Sequence, residues 1–206
     1  MAEADSPPPP RATRKPGTEP FRCGGLPLNR TLLDFWRWSA SDLVGNALRG
    51  VLAEYIVACA LGLPDEARVE WDAYDLRTPQ GLTLEVKSAA YLQSWQQKAP
   101  SRITFGIQPT RAWEAATNDH TGGLRRQADV YVFCLLHHQD KATVDPLDMD
   151  QWTFFLLPAS ALDEKFPVQK SIGLASLLRM NPSCATYQEL ADKIARLRSA
   201  APALRG

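Results

Sequence analysis

Eight consecutive residues, Asp129–Leu136 (DVYVFCLL), constrain the fold of this 206-residue chain more than any other segment. Every residue after the aspartate is apolar, so a strand over this run is hydrophobic on both faces. Strands of this kind lie at the centre of a sheet that is covered on both sides. The run therefore predicts a layered domain in which helices pack against a β-sheet.

Hydrophobic periodicity predicts the elements around this strand. A long helix begins at a capping box, Ser39–Asp42, and ends before Gly62 and Pro64. A hairpin with its turn at Thr78–Gly81 follows, and two more strands and an amphipathic helix complete the chain. These elements span Val69–Leu76 and Leu82–Lys87 (hairpin), Arg102–Ile107 and Trp152–Leu157 (strands), and Tyr187–Leu197 (helix). Their order predicts an α/β (α+β) domain.

The first 30 residues differ in composition from the rest of the chain. They contain the proline run Pro7–Pro10 and, after it, several arginine and lysine residues. Such a segment buries too little apolar surface to offset its ordering entropy. We therefore expect a flexible, proline-rich basic arm at 1–30 and a single domain at 31–206. Within this domain the apolar-poor segment Thr110–Gly123 predicts a mobile flap.

The balance of charge excludes binding to nucleic acid through overall charge. Lys plus Arg and Asp plus Glu each number 23, so the formal net charge is 0 and a polyanionic partner must meet a local basic patch. No apolar run approaches the ~20 residues of a membrane span. The N-terminus lacks a signal-peptide pattern, and the four cysteines form no C-x-x-C pair. These features predict a cytoplasmic protein with reduced thiols and no membrane partner.

The turn at Thr78–Gly81 decides which residues face each other across the predicted hairpin. Gly81 stands where a three-residue loop with a G1 bulge needs left-handed backbone, and this favours that loop. In the resulting register Asp75 lies opposite Glu85, with the two Cβ atoms about 5 Å apart. A two-residue loop would place Asp75 opposite Leu84, on the other face of the sheet.

Two opposed carboxylates repel each other unless one is protonated or a cation binds between them. Mg²⁺ takes oxygen ligands and commonly uses one or two carboxylates with water and phosphate, so Asp75, Glu85 and the Val86 carbonyl form a candidate metal site. Lys87 shares the strand face of Glu85, because side chains repeat every two residues. Beside a metal, this lysine would orient and help deprotonate an attacking water and offset charge on a phosphorane-like state.

Glu54 is the only charged residue between Gly50 and Pro64. A lone carboxylate in an apolar helix is costly unless it is paired or bound to a metal. We therefore expect Glu54 to face the same site.

These residues together resemble a known family. The pattern Asp-x(9)-Glu-x-Lys at Asp75, Glu85 and Lys87, preceded by a helix that carries Arg49–Glu54 (RGVLAE), is similar to the PD-(D/E)XK nuclease superfamily. This superfamily includes type II restriction enzymes and archaeal Holliday-junction resolvases. The resemblance covers about residues 43–107.

The resemblance implies a restriction-endonuclease-like fold, in which a central mixed β-sheet is flanked by helices. It implies DNA as the substrate and Mg²⁺ as the cofactor, with Mn²⁺ as a substitute. It also assigns Asp75 and Glu85 as metal ligands, Glu54 as the helix carboxylate that completes the metal site, and Lys87 as the catalytic lysine.

Residues outside this set are candidates for supporting or DNA-binding roles. A glutamine after the lysine is frequent in similar nucleases, so Gln96 is placed next to the catalytic groups, as is Ser88; a surface helix is an equally good interpretation of this segment. Trp95 would stack on a base. Three exposed arginines would hold phosphates or simply favour solubility: Arg111, Arg125 and Arg126.

We therefore predict a Mg²⁺-dependent deoxyribonuclease that hydrolyses phosphodiester bonds by metal-activated water. Two alternatives remain open. One is a catalytically silent module that binds nucleic acid or a protein on the same fold, and the other is a hydrolase of small phosphate esters. A homodimer would present two copies of a modest basic face and so compensate for the neutral net charge.

Overall fold

A computed structural model describes residues 12–63, 67–68, 73–114 and 119–200 of the chain. In chain order the elements are β1 (Pro20–Cys23), β2 (Leu26–Thr31), α1 (Leu32–Ser39), α2 (Asn46–Ala60), β3 (Leu76–Arg77), β4 (Thr83–Ala90), β5 (Thr104–Gly106), β6 (Thr110–Glu114), β7 (Asp119–Arg125), β8 (Val130–Leu136), β9 (Trp152–Pro158), α3 (Ala159–Lys165), β10 (Ser171–Gly173), α4 (Leu174–Leu178), β11 (Ser183–Ala185) and α5 (Tyr187–Ala200). A 3₁₀ turn precedes β9.

Five strands form the central sheet, in the order β11–β9–β8–β4–β3. Strands β4 and β8 run parallel, with Glu85 beside Tyr131, and the other neighbours are antiparallel. Every residue of β8 is buried, which confirms that the apolar run is a central strand covered on both faces. The predicted α/β (α+β) class, with a mixed sheet flanked by helices, is confirmed.

Two apolar cores cover the two faces of this sheet. On one face α2 and α5 pack against alternate residues of the central strands, among them Leu84 and Val86. On the other face β5, β10, α3 and α4 cover residues such as Tyr131. Because side chains alternate along β4, Glu85 and Lys87 belong to this second face.

The region predicted as one long helix contains two helices. The N-terminal capping box is formed by Thr31 and Asp34, at the start of α1, and not by Ser39–Asp42. Helix α1 ends at Ser39, and α2 begins only after Gly45, whose N–H donates to the Asp42 carboxylate. The predicted end of the helix is confirmed.

That end is a Schellman motif centred on Gly62, which has a φ of +71°. Its N–H donates to the carbonyl of Cys59, and the N–H of Leu63 donates to the carbonyl of Ala58. Helix α2 therefore ends at a fixed place, with its buried face against β4.

Regular structure begins at Pro20, inside the segment predicted to be a flexible arm. Gly24 and Gly25 have φ values of +56° and +81°, as a two-residue type I′ turn requires, and they join β1 to β2. The prediction of a flexible arm is therefore wrong for residues 20–30, which form this hairpin. Residues 1–11 lie outside the described part of the chain.

Two other predicted segments also differ in the structure. The described residues of the predicted flap Thr110–Gly123 belong to the antiparallel strands β6 and β7, the second of which continues to Arg125. Of the predicted strand Val69–Leu76, the described residues 73–75 are not in a strand and Leu76 opens β3; residues 69–72 lie outside the described part. Among the described residues, no helix combines the length and the apolar character that crossing a membrane requires.

Candidate active site

The hairpin β3–β4 has the predicted register. Its turn closes with a bond from the Gly81 N–H to the Thr78 carbonyl (2.8 Å), and Gly81 has a φ of +88°. Thr78 then pairs with Leu82, its N–H donating to that residue's carbonyl at 2.9 Å. The paired residues continue through Leu76 and Leu84, so Asp75 faces β4 at the level of Glu85.

The Asp75 carboxylate is held against the backbone of β4. The Asp75 N–H donates to the Leu84 carbonyl (3.0 Å), and Asp75 Oδ2 accepts the Val86 N–H (2.7 Å). In a regular continuation of the ladder, the main chain of Tyr74 would face Val86. The Asp75 side chain thus accepts the Val86 N–H in place of the Tyr74 carbonyl. The Asp75 carboxylate therefore lies at the edge of the sheet, where β3 begins.

Glu85 and Lys87 form an ion pair on the face of β4 that belongs to the second core. Lys87 Nζ lies 2.5 Å from Glu85 Oε1, and both side chains are half-buried. Beside them on β8, burial and the Glu85 carboxylate raise the pKa of Tyr131. In the sequence nothing distinguishes Tyr131 from the other apolar residues of its run.

Asp75 and Lys87 both have shifted pKa values, and Glu85 contributes to each shift. Burial, followed by repulsion from Glu85, raises the pKa of Asp75 from 3.8 to about 6, although the Val86 N–H and Lys87 act in the opposite direction. Burial disfavours the charged ammonium of Lys87, but the carboxylates of Glu85, Asp75 and Glu54 outweigh this and raise its pKa. Lys87 is therefore a cation at neutral pH.

Glu54 approaches the same hairpin from α2. Its negative charge is the smallest of the contributions that raise the pKa of Asp75 and of Lys87, and its place in the site stays a prediction. Arg68 holds this carboxylate with two donors: its Nε contacts Oε2, and its second guanidinium nitrogen donates to Oε1 at 3.1 Å. The lone carboxylate signalled a need for a partner, but nothing local identified Arg68 as that partner.

The carboxylate oxygens of the hairpin and of Glu54 suit a hard cation. Asp75, Glu85 and Glu54 offer carboxylate oxygens, which Mg²⁺ prefers. Asp75 is held near Glu85 although like charge raises its pKa, and a cation would relieve that repulsion. In the described residues these side chains do not form a ready-made group of three metal-binding His, Cys, Asp or Glu residues. The metal ligand set therefore stays a prediction.

Arg126 lies in the interior, which corrects its assignment as a phosphate contact. It is 2% exposed and donates to the carbonyl of Ile107 (3.0 Å), to the carboxylate of Asp163 (2.6 Å) and to the carbonyl of Phe166 (2.7 Å). The guanidinium thus ties α3 to the loop after β5. In the sequence Arg126 follows a polar loop, and nothing there indicates that its side chain is buried.

The other predicted DNA contacts lie on the surface. Arg111 and Arg125 are exposed, and Arg125 donates to the side chain of Gln127. Trp95 is more than half exposed. Gln96 is exposed and Ser88 is half-buried on β4, and neither is brought to the acidic groups by a hydrogen bond in the described structure.

Two other glutamines, Gln93 and Gln97, organise the loop after β4. The Gln97 side-chain carbonyl accepts the Gln93 N–H (2.7 Å), and the Gln97 amide donates to the hydroxyl of Ser101 (3.0 Å). Gln93 is buried and accepts a bond from Arg49 of α2 (3.4 Å). The glutamines after the lysine therefore include two with a structural role.

Comparison with protein families provides independent evidence. The family described as bacteriophage T4 endonuclease IV matches residues 31–174, more than two thirds of the chain. The chain belongs to the bacteriophage T4 endonuclease IV family. No curated protein matches it.

The T4 endonuclease IV family match includes the whole candidate site. Its span runs from the start of α1 into α4 and contains Glu54, Asp75, Glu85 and Lys87. Membership confirms the part of the resemblance that predicted a nuclease family. The matched span leaves out β1, all of β2 except Thr31, and the closing helix α5.

Proposed function

We propose that the chain is a Mg²⁺-dependent nuclease of the PD-(D/E)XK type that hydrolyses DNA phosphodiester bonds. The observation that carries this proposal is the convergence of the Asp75 carboxylate and the Glu85–Lys87 ion pair at one edge of the sheet. Membership in a family named for an endonuclease supports it.

Asp75, Glu85 and the Val86 carbonyl would hold the metal ion, with Glu54 as a further carboxylate. The N–H and the carbonyl of one strand residue point to the same side, so the bond from the Val86 N–H to Asp75 directs the Val86 carbonyl toward the Asp75 side. When bound, Mg²⁺ supplies Lewis acidity that polarises a phosphoryl oxygen and lowers the pKa of water.

Lys87 acts as a cation. The carboxylates around it hold the pKa of Lys87 above its ordinary value, so without metal the ammonium keeps its proton at neutral pH and donates hydrogen bonds. The ammonium can orient an attacking water and stabilise negative charge on the phosphorane-like transition state. Pairing with Glu85 fixes its position on the strand before a substrate arrives.

Glu54 enters the proposed site as the partner of Arg68 in an ion pair. The paired guanidinium compensates the Glu54 charge while the other two carboxylates stay close by. Arg68 is partly exposed, so it can also meet a substrate phosphate.

The test is incubation of the wild-type protein with plasmid and with oligonucleotides, in Mg²⁺, Mn²⁺ or EDTA. We expect cleavage with either metal and none in EDTA. Glu85→Gln should lower the cleavage rate at least 100-fold, because it removes a proposed metal ligand. Glu164→Gln, an exposed change on α3, should leave the rate unchanged. Binding without cleavage of any substrate would favour the silent binding module on the same fold.

A further inference from the structure

The hairpin β1–β2 and helix α1 expose an unusual amount of apolar surface. None of their residues is buried, and Trp38 and Leu26 are 83% and 72% exposed. Large contiguous apolar patches on a soluble protein usually mark interaction sites. We call this surface the aromatic platform; its rings are Phe21, Phe35, Trp36 and Trp38.

The aromatic platform has a defined shape. The first two N–H groups of α1 donate to the carbonyls of Glu19 and Gly17, both at 2.9 Å, so the helix is fastened to the chain that precedes the hairpin. A Cβ at Gly17 would lie 2.9 Å from the Trp36 ring, so only glycine permits this close approach. The rings of Phe35 and Trp38 are 6.4 Å apart. The rings are therefore presented by an ordered unit.

Positive charge is interleaved with these rings. Arg22, Arg30 and Arg37 are exposed among them, and in the described part of the chain no carboxylate forms an ion pair with these guanidinium groups, although the charges of Arg30 and Arg37 act on the Asp34 carboxylate. The segment 12–40 contains five basic residues against two acidic ones, whereas the whole chain has a net charge of 0. This is the local basic patch that a neutral nuclease needs in order to meet a polyanion.

We propose that the aromatic platform is a nucleic-acid-binding site that holds a DNA strand with residues other than those of the catalytic hairpin. The arginines would contact phosphates, and the exposed rings would stack on bases, which is how aromatic residues in basic grooves bind a strand. This inference rests on the proposed function for its choice of ligand.

Charge favours DNA over a second copy of the chain as the partner. In a two-fold symmetric dimer the same patch occurs on both subunits, so a contact through the platform would bring two arginine-rich surfaces together. A phosphate backbone instead supplies the opposite charge. The platform therefore fits a nucleic acid better than it fits itself.

The test is fluorescence anisotropy of a labelled mixed-sequence single-stranded DNA oligonucleotide, titrated with the full chain in EDTA at several salt concentrations. Trp38→Ala should raise the Kd by about 5- to 150-fold, the range for loss of one stacked base. Arg37→Gln should weaken binding and reduce the salt slope by about 0.7. Leu147→Ala and Arg179→Gln, exposed changes far along the chain, should bind like wild type.

Wild-type affinity of both platform variants would overturn the inference. So would a dimer that sedimentation shows to be dissociated by Trp38→Ala, because a second copy would then cover the platform. The inference and the proposed function fail separately. If the platform variants lose binding but wild type cuts no DNA in Mg²⁺, only the proposed function fails; if wild type cuts DNA and Trp38→Ala binds normally, only the inference fails.

Discussion

Neutralising Asp75 should stabilise the protein in the absence of metal. In the folded chain burial and Glu85 raise the pKa of this carboxyl from 3.8 to about 6. At about 1.36 kcal/mol per pKa unit, keeping it ionised costs the fold on the order of 3 kcal/mol. Asp75→Asn removes this cost, and the amide oxygen can still accept the Val86 N–H.

The stability gained by Asp75→Asn should depend on pH. Because the folded-state pKa lies above the unfolded value, the stability contributed by the protonated carboxyl is complete below pH ~4 and is lost as the pH rises toward 6. The advantage of Asp75→Asn over wild type should therefore be near zero at pH 4 and largest above pH 6.5. For a chain of this size, ~3 kcal/mol corresponds to about 6 to 12 °C in Tm.

Thermal unfolding in EDTA at pH 4, 6 and 8 measures the effect. Asp75→Ala is the matched control, because it removes the charge but also leaves the Val86 N–H without its acceptor, at a cost of about 1–3 kcal/mol. It should gain clearly less than Asp75→Asn. An Asp75→Asn variant that melts at or below the wild-type temperature at pH 8, or that gains equally at pH 4, would refute this reasoning.

Three further predictions concern the metal, the turn and the buried arginine. Mg²⁺ at 100 times its Kd should stabilise wild type by about 2.7 kcal/mol in a thermal melt and Asp75→Asn hardly at all; an equal rise in both would contradict the ligand assignment. Gly81→Ala should cost about 1–2 kcal/mol in urea unfolding, because its φ is +88°, whereas Gly106→Ala should be neutral by comparison. Arg126→Ala should cost about 3 kcal/mol without changing the salt dependence of DNA binding; a reduced salt slope would return Arg126 to the DNA contacts.

Local sequence signals predicted the parts of the structure that are decided locally. Gly81 required left-handed backbone, and that requirement fixed the loop and the register that brings Asp75 to Glu85. The apolar run of β8 predicted a central strand because burial on both faces leaves no polar position. Gly62 ended α2 for the same kind of local reason.

The remaining features depend on partners that are distant in sequence. Nothing near Arg126 indicates that the chain folds α3 over it, and nothing near Glu54 identifies Arg68 as its partner. The Asp75 side chain accepts the Val86 N–H because β3 begins only after Asp75. Hydrophobic periodicity does not give the first residue of a strand, so it could not predict this bond. The hairpin β1–β2 is different, because the Gly24–Gly25 pair is a local turn signal that the proline-rich composition around it obscured.

The most direct test of the central claim is the single-turnover rate of DNA cleavage in Mg²⁺ for wild type and Lys87→Ala. Lys170→Ala, which removes an exposed lysine near β10, is the control for the loss of one positive charge. If the hairpin of Asp75, Glu85 and Lys87 is the catalytic centre, Lys87→Ala should cut at least 100-fold more slowly while Lys170→Ala cuts at the wild-type rate. Equal rates for all three proteins would show that the chemistry takes place elsewhere.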